Sequence, residues 1–227
     1  MKKIVFFALT VLLTLGVVGC SLLKPTIQSR QIYVSVEPSS ADIKLNGDIV
    51  GTGSYSFSLQ EGYYKELLLE APGYLSKRVR VNYSDNRSSY NFTLEQDEAY
   101  LASTSGADVA NKNMRILVKK GMSRDDALKK LKYYVTDNFE TLEVNDNASG
   151  WIRTAWNVER FNSATVRTRL ELKEVPDDGS GALSFKFFIA SQWAKPKCGT
   201  NDECFSDWDR ILKKFAKLYS DMQNAVN

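Results

Sequence analysis

The sequence predicts an all-β sandwich followed by an α+β domain built as helix, four-stranded antiparallel sheet and helix. Three observations carry this. Residues 31–96 hold short runs of alternating apolar and polar side chains, separated at regular intervals by turn formers. From Ser123 the apolar spacing becomes helical. Longer alternating runs then follow, and the chain closes on an amphipathic stretch able to cover a one-sided sheet.

The N-terminus has a different character. Lys2 and Lys3 precede residues 4–18, whose only polar side chains are threonines. A spanning helix needs about 20 apolar residues, so this run is short for a permanent anchor. The alternative, an ordinary buried helix, fits poorly because the segment is apolar on every face. Two positive charges, a short apolar core and small residues at its end describe an export signal. The ending Val17, Val18, Gly19, Cys20 resembles a bacterial lipobox. The resemblance implies that residues 1–19 are a lipoprotein signal peptide and that Cys20 becomes an acylated N-terminus, its sulfur being the nucleophile that takes up the lipid. A cleaved signal that merely ends at a cysteine is the alternative. Residues 20–30 then form a lipidated tether. By resemblance to lipoprotein sorting rules, Ser21 in place of aspartate permits transport to an outer membrane in a two-membrane cell. The expected place is the cell membrane or outer membrane, on the extracytoplasmic side.

Composition narrows the chemistry. The 227 residues include 30 basic and 27 acidic ones, a net charge of +3. Without Lys2 and Lys3 the counts are 28 and 27, a balance of +1. No strong field is left to hold nucleic acid or an acidic membrane surface. With 0 histidines the chain cannot build a Ser-His-Asp or Cys-His hydrolase or a histidine-ligated metal site. Nor do the residues offer a metal shell or a cofactor motif, so no cofactor and no catalytic residue is assigned. Asp177–Asp178 and Asp202–Glu203 lack the spacing of a calcium loop. If Cys20 carries lipid, Cys198 and Cys204 remain as a pair around the short polar loop GTNDE. An oxidising compartment favours a disulfide there, worth roughly 2 kcal/mol, over two free thiols.

The first domain reads strand by strand. Ile32, Val34 and Val36 alternate with Tyr33 and Ser35, and Pro38 ends the run because it lacks an N–H. Ala41, Ile43 and Leu45 follow, with Asn46-Gly47 marking a tight turn. Tyr55, Phe57 and Leu59 alternate next, Glu61-Gly62 turns the chain, and YYKELLLEA forms a longer strand. After Pro72-Gly73-Tyr74, SKRVRVNY and SSYNFTLEQ supply the last two strands. Residues 31–96 resemble a PEGA domain in Val34-x-Val36-x-Pro38, Ala41, Ile43, Asn46-Gly47, Gly51, Gly62-Tyr63 and Ala71-Pro72-Gly73-Tyr74. Gly51-Thr52-Gly53-Ser54 departs from that family's pattern by lacking proline. The resemblance implies a small extracytoplasmic β-sandwich used for binding or spacing. Tyr63, Tyr64, Tyr74, Tyr83 and Tyr90 could form an aromatic surface for sugar, or simply pack on half-buried sheet faces.

Residues 97–122 are small and polar and read as a linker, with MRILVKK as a further strand or helical turn. Ser123 and Asp126 then form an N-cap pattern. Ala127, Leu128, Leu131, Tyr134, Val135 and Phe139 recur at helical spacing. Strands follow from Leu142, across WIRTAWNV, along ATVRTRLELKEV, and back along ALSFKFFIASQW after the turn PDDGSG. WIRTAWNV buries either Trp151 and Arg153 or Ile152 and Thr154. Trp208, Ile211, Leu212, Phe215, Tyr219 and Met222 predict one C-terminal amphipathic helix. The order suggests a helix-grip arrangement over 123–227. Phe139, Leu142, Asp146, Gly150 and Ile152 resemble the rhythm of the barrel-assembly lipoprotein C family. That resemblance implies a protein-binding accessory lipoprotein of the outer membrane.

Arg153, Arg160, Arg167 and Arg169, beside Trp151 and Trp156, form a candidate basic strip for an anionic glycan, a peptide or a partner protein. The competing reading is a solvated sheet face paired to Glu159 and Glu171. The binding candidates are therefore Trp151, Arg153, Trp156, Arg167 and Arg169. The expected function is that of a membrane-anchored, non-catalytic binding or scaffold protein of the cell envelope, with an envelope protein or glycan as partner. The alternatives are a carbohydrate-binding surface lipoprotein and a carboxylate-dependent envelope hydrolase.

Overall fold

A computed structural model describes residues 28–175, 182–196 and 202–227. The chain is mostly β, with several antiparallel sheets and few helices. It divides into two units. The first comprises the described residues up to Glu70 together with Ser76–Leu94, and the second comprises Ala71–Leu75 and Glu95–Asn227.

Seven strands make the first unit: β1 (Ser29–Glu37), β2 (Asp42–Leu45), β3 (Asp48–Thr52), β4 (Ser54–Gln60), β5 (Tyr64–Glu70), β6 (Lys77–Asn82) and β7 (Ser89–Thr93). They form two sheets, in the orders β4-β1-β7 and β3-β2-β5-β6. The alternation seen in the sequence decides which face is buried. Ile32, Val34, Val36, Phe57 and Leu59 are buried on one sheet, and Ile43, Leu67, Leu69 and Val81 on the other. Asn46 and Gly47 both adopt positive φ, 55° and 96°, the geometry of a tight turn matched to strand twist. Gly53 sits at φ 68°, where a Cβ would lie 2.4 Å from the Ser39 carbonyl oxygen. Its own N–H and C=O pair with Ala41 and Val36, so only glycine fits this corner without strain. β7 lies parallel to β1, with Tyr33 opposite Ser89 and Glu37 opposite Thr93.

The second unit contains α1 (Glu98–Ala102), β8 (Ser103–Ser105), β9 (Asn113–Leu117), α2 (Arg124–Asn138), β10 (Leu142–Asp146), β11 (Trp151–Thr154), β12 (Asn157–Arg160), β13 (Thr165–Val175), β14 (Ser184–Ala194), β15 (Ser206–Asp207), β16 (Arg210–Leu212) and α3 (Leu218–Val226). Seven of these strands form one sheet, β10-β11-β13-β14-β15, with β12 also on β13 and β9 also on β14. β16 pairs separately with β8. Ser123 caps α2 by accepting from the Asp126 N–H at 3.1 Å. Ala127, Leu128, Leu131 and Val135 of α2 and Leu218, Met222 and Val226 of α3 join one core with Ile152, Val166, Leu170, Leu172, Phe185, Phe187 and Ile189 of the sheet. At roughly 25 cal/mol per Å² of apolar surface, this continuous cluster is the main stabilising term of the unit. Phe139 stacks on Phe215 at 4.8 Å within it.

Three expectations need correction. Residues 97–122 are not a linker. Asp97 caps α1 through the Tyr100 N–H, and β9 adds five residues to the edge of β14 with Ile116 fully buried. β9 is the strand alternative of MRILVKK, whereas α1 and β8 are too short for periodicity to reveal them. The sheet has seven strands rather than four, because β9 and β15 are added at β14 and WIRTAWNV breaks at Ala155–Trp156 into β11 and β12, which pair with successive parts of β13. The C-terminal run is not one helix. Ile211 and Leu212 sit in β16 against β8, a 3-10 turn spans Lys213–Phe215, and only Leu218–Val226 is α-helical. Pairing with β8, a distant segment, outweighs the local helical spacing.

Candidate binding face

The sheet of the second unit has two unlike faces. Val166, Thr168, Leu170 and Leu172 of β13 turn toward the helices, so Arg167, Arg169, Glu171 and Lys173 turn the other way. Register places Trp151 opposite Lys173 and Arg153 opposite Glu171. Ile152 and Thr154 are the buried pair on β11, which resolves the ambiguity of that strand in favour of an outward Trp151 and Arg153.

Trp156, in the break between β11 and β12, anchors the outward face. The Arg167 and Arg169 guanidiniums lie 4.2 and 4.3 Å from its ring centroid. Arg167 also lies 3.9 Å from the Phe205 ring, donates from Nε to Gln192 Oε1 at 2.9 Å, and pairs with Asp202. It is only 8% exposed. Stacking of this kind contributes about 0.5–2 kcal/mol per contact, more as the cation is desolvated. Arg167 is thus a fixed part of the face. Arg153 and Lys173 flank Trp151 at 5.8 and 5.7 Å. Glu143 of β10 lies 3.1 Å from Arg153 Nε and 4.0 Å from Arg169 Nη1. The Arg153 Nε contact is an ion pair without a well-aligned hydrogen bond. One carboxylate therefore serves two guanidiniums, and neither is saturated. The Trp151 indole N–H has no acceptor among the described residues.

All five predicted binding residues, Trp151, Arg153, Trp156, Arg167 and Arg169, fall on this one face. Arg160 lies opposite Thr165 and makes none of these contacts. Of the expected partners, Glu171 does lie opposite Arg153 on this face, without an ion pair within 4.0 Å among the described residues; Glu159 pairs with Lys214, and Glu143 makes the ion pairs to Arg153 and Arg169. Glu143, Lys173, Gln192, Asp202 and Phe205 were missed. β13 alternation extends to Lys173, but Phe205 and Asp202 reach Arg167 only through tertiary approach.

The five tyrosines do not form one surface. Tyr63, Tyr64 and Tyr83 line a groove in the first unit. Tyr74 belongs to the second unit and bridges to Gln96. Tyr90 stacks on Phe92 and donates to Asp85, and burial together with that carboxylate pushes its phenol pKa up. Cys20 and Cys198 lie outside the described residues, so neither the lipidation nor the disulfide is described. Cys204 is half-buried at the end of the 3-10 turn Asp202–Cys204. Among the described residues no group of three or more Cys, Asp or Glu is placed to hold a metal ion. No protein-family model matches the chain, and no curated protein matches it.

Proposed function

We propose that this chain is an extracytoplasmic lipoprotein, held to the cell membrane or outer membrane by acyl chains on Cys20, that acts as a non-catalytic binding or scaffold protein of the cell envelope. The first unit is read as a PEGA-like β-sandwich and the second as a helix-grip-like α+β domain. The observation that carries the binding role is the outward sheet face, where Arg153, Arg167 and Arg169 interleave with Trp151 and Trp156. Arginine and tryptophan are the residues most often found at the energetic centre of interfaces. Arg153 and Arg169 share Glu143 and so retain donors for one further anionic group. The partner that fits is an envelope protein segment presenting carboxylates, with aromatic or apolar side chains for the tryptophans.

Site-specific photocrosslinking in intact cells tests this. A photoreactive residue at Lys173 should capture a discrete protein adduct that disappears when Arg153 and Arg169 are both changed to glutamate. No adduct, or one that survives the double charge reversal, would refute the assignment of this face.

A further inference from the structure

The two ends of the first unit differ. At the end where β1 begins, Arg30, the Glu61-Gly62 turn, Tyr63, Tyr64, Asn82, Tyr83 and Asn86 surround an open groove of about 610 Å³. The groove is held by its own contacts. Tyr83 N–H donates to the Tyr63 carbonyl at 3.1 Å, and Glu61 N–H to the Gln28 carbonyl at 2.9 Å. Arg30 lies 4.6 Å over the Tyr83 ring, donates to Asn86 Oδ1 at 2.7 Å and to the Tyr83 carbonyl. Arg80 lies 4.3 Å over Tyr64 while paired to Glu66. The terminal nitrogens of Arg30 and the Asn86 carbonyl are therefore committed within the protein, and Arg30 Nε is buried without an acceptor among the described residues. A sugar site needs convergent free polar groups around its aromatic rings. Beside Glu61, Asn82 and Ser84, what this rim exposes most is amphipathic tyrosine, with Tyr63 63% and Tyr64 54% exposed.

The path of the chain says what such a rim meets. Nine residues, 21–29, separate Cys20 from Arg30, ten steps that reach at most about 36 Å. β7 runs parallel to β1, so the chain leaves this unit at the opposite end. A lipid on Cys20 would therefore lead into this unit at its tyrosine end. Tyrosine is enriched at the headgroup layer because one end of its side chain is apolar and the other wet.

We propose that the Tyr63–Tyr64–Tyr83 rim seats in the headgroup layer of the membrane that carries the lipid anchor. It orients the first unit; the acyl chains supply the anchoring. This inference rests on the proposed acylation of Cys20.

The test uses the full processed chain purified from cells. Intact mass first establishes acylation. The protein is then placed in vesicles of phosphatidylethanolamine and phosphatidylglycerol and labelled by hydroxyl radicals, with the modified tyrosines quantified. Tyr133 of α2 is the internal control, since it is also 63% exposed. Labelling of Tyr63 should fall at least about twofold relative to Tyr133, as burial of a few ångströms in the headgroups requires. An acylated chain that labels both equally would overturn the seating alone. A chain without acyl groups would overturn the anchoring and the seating together. An N-acetylglucosamine tetramer that suppresses Tyr63 labelling on the vesicle-bound chain would make the groove a glycan site, against this inference.

Discussion

β13 and β14 carry two chemistries on one pair of strands. Toward the helices they present Val166, Leu170, Leu172, Phe185, Phe187 and Ile189, all at or near zero exposure. On the other side the same strands present Arg167, Arg169, Glu171, Lys173, Lys186 and Gln192. The period of two makes the separation possible, and a shift of one residue in register would exchange the faces. The core face is held by area removed from water, so its energy is large and its chemistry uniform. The outward face is held by directional contacts, each small, which leaves capacity for a partner.

The largest expected effect comes from neighbours on opposite faces. Phe187 is fully buried and meets Tyr219 edge-on at 5.4 Å, whereas Phe188 is half-buried on the outward side. Phe187→Ala should cost about 3–5 kcal/mol in urea unfolding of the full chain, and Phe188→Ala clearly less. Equal losses would mean that the two faces are not energetically distinct.

A second contrast lies within the outward face. Arg167→Lys gives up two ring stacks and the guanidinium fork, and should cost about 1–2 kcal/mol. Arg169→Lys, at a half-buried position with one stack, should cost less than about 1 kcal/mol. The same unfolding measurement separates them.

Glu143→Gln should leave stability within about 1 kcal/mol, because the pairs it breaks are partly solvated. It should nevertheless strengthen retention of carboxylate-bearing partners, read as a higher salt concentration needed for elution. Unchanged retention would separate Arg153 and Arg169 from binding.

The smallest effect concerns pH. Asp146, at the end of β10, accepts from Ser149 Oγ at 2.6 Å and from the Ser149 and Ala148 N–H groups. These bonds, and more weakly the Arg124 charge, hold its carboxyl below the usual range. The contribution is present in full above the ordinary aspartate value, about pH 4, and is lost as pH falls through the lower folded value. Asp146→Asn should slightly flatten the acid side of the stability–pH curve measured by thermal unfolding.

Much of this was legible. The alternation of Ile32, Val34 and Val36, the Asn46-Gly47 turn and the Ser123 cap are local devices, and each formed where its residues stand. Parity along β13 puts Arg167 and Arg169 on one face from the sequence alone, but Trp151 and Arg153 join them only through the register of β11 on β13, and Trp156 only through the break between β11 and β12. What escaped were segments whose state depends on distant partners. The sequence left MRILVKK as strand or helical turn until the edge of β14 settled it as β9, and Ile211 in β16 needs β8. Their local patterns are short or point to helix, so periodicity could not place them. Glu143 was missed for a related reason: its register to Arg153 is set by an irregularity between Leu142 and Val144.

By itself the sequence determined which residues share a face, where turns form, and that no histidine chemistry operates here. These follow from side-chain period, backbone sterics and composition, all of them local. Tertiary structure alone decided that β7 joins β1 in parallel, that Arg167 stacks between Trp156 and Phe205, and that Tyr63 and Tyr83 meet beside Arg30. Each of these brings together segments far apart in the chain, and their free energy comes from contacts that exist only after folding.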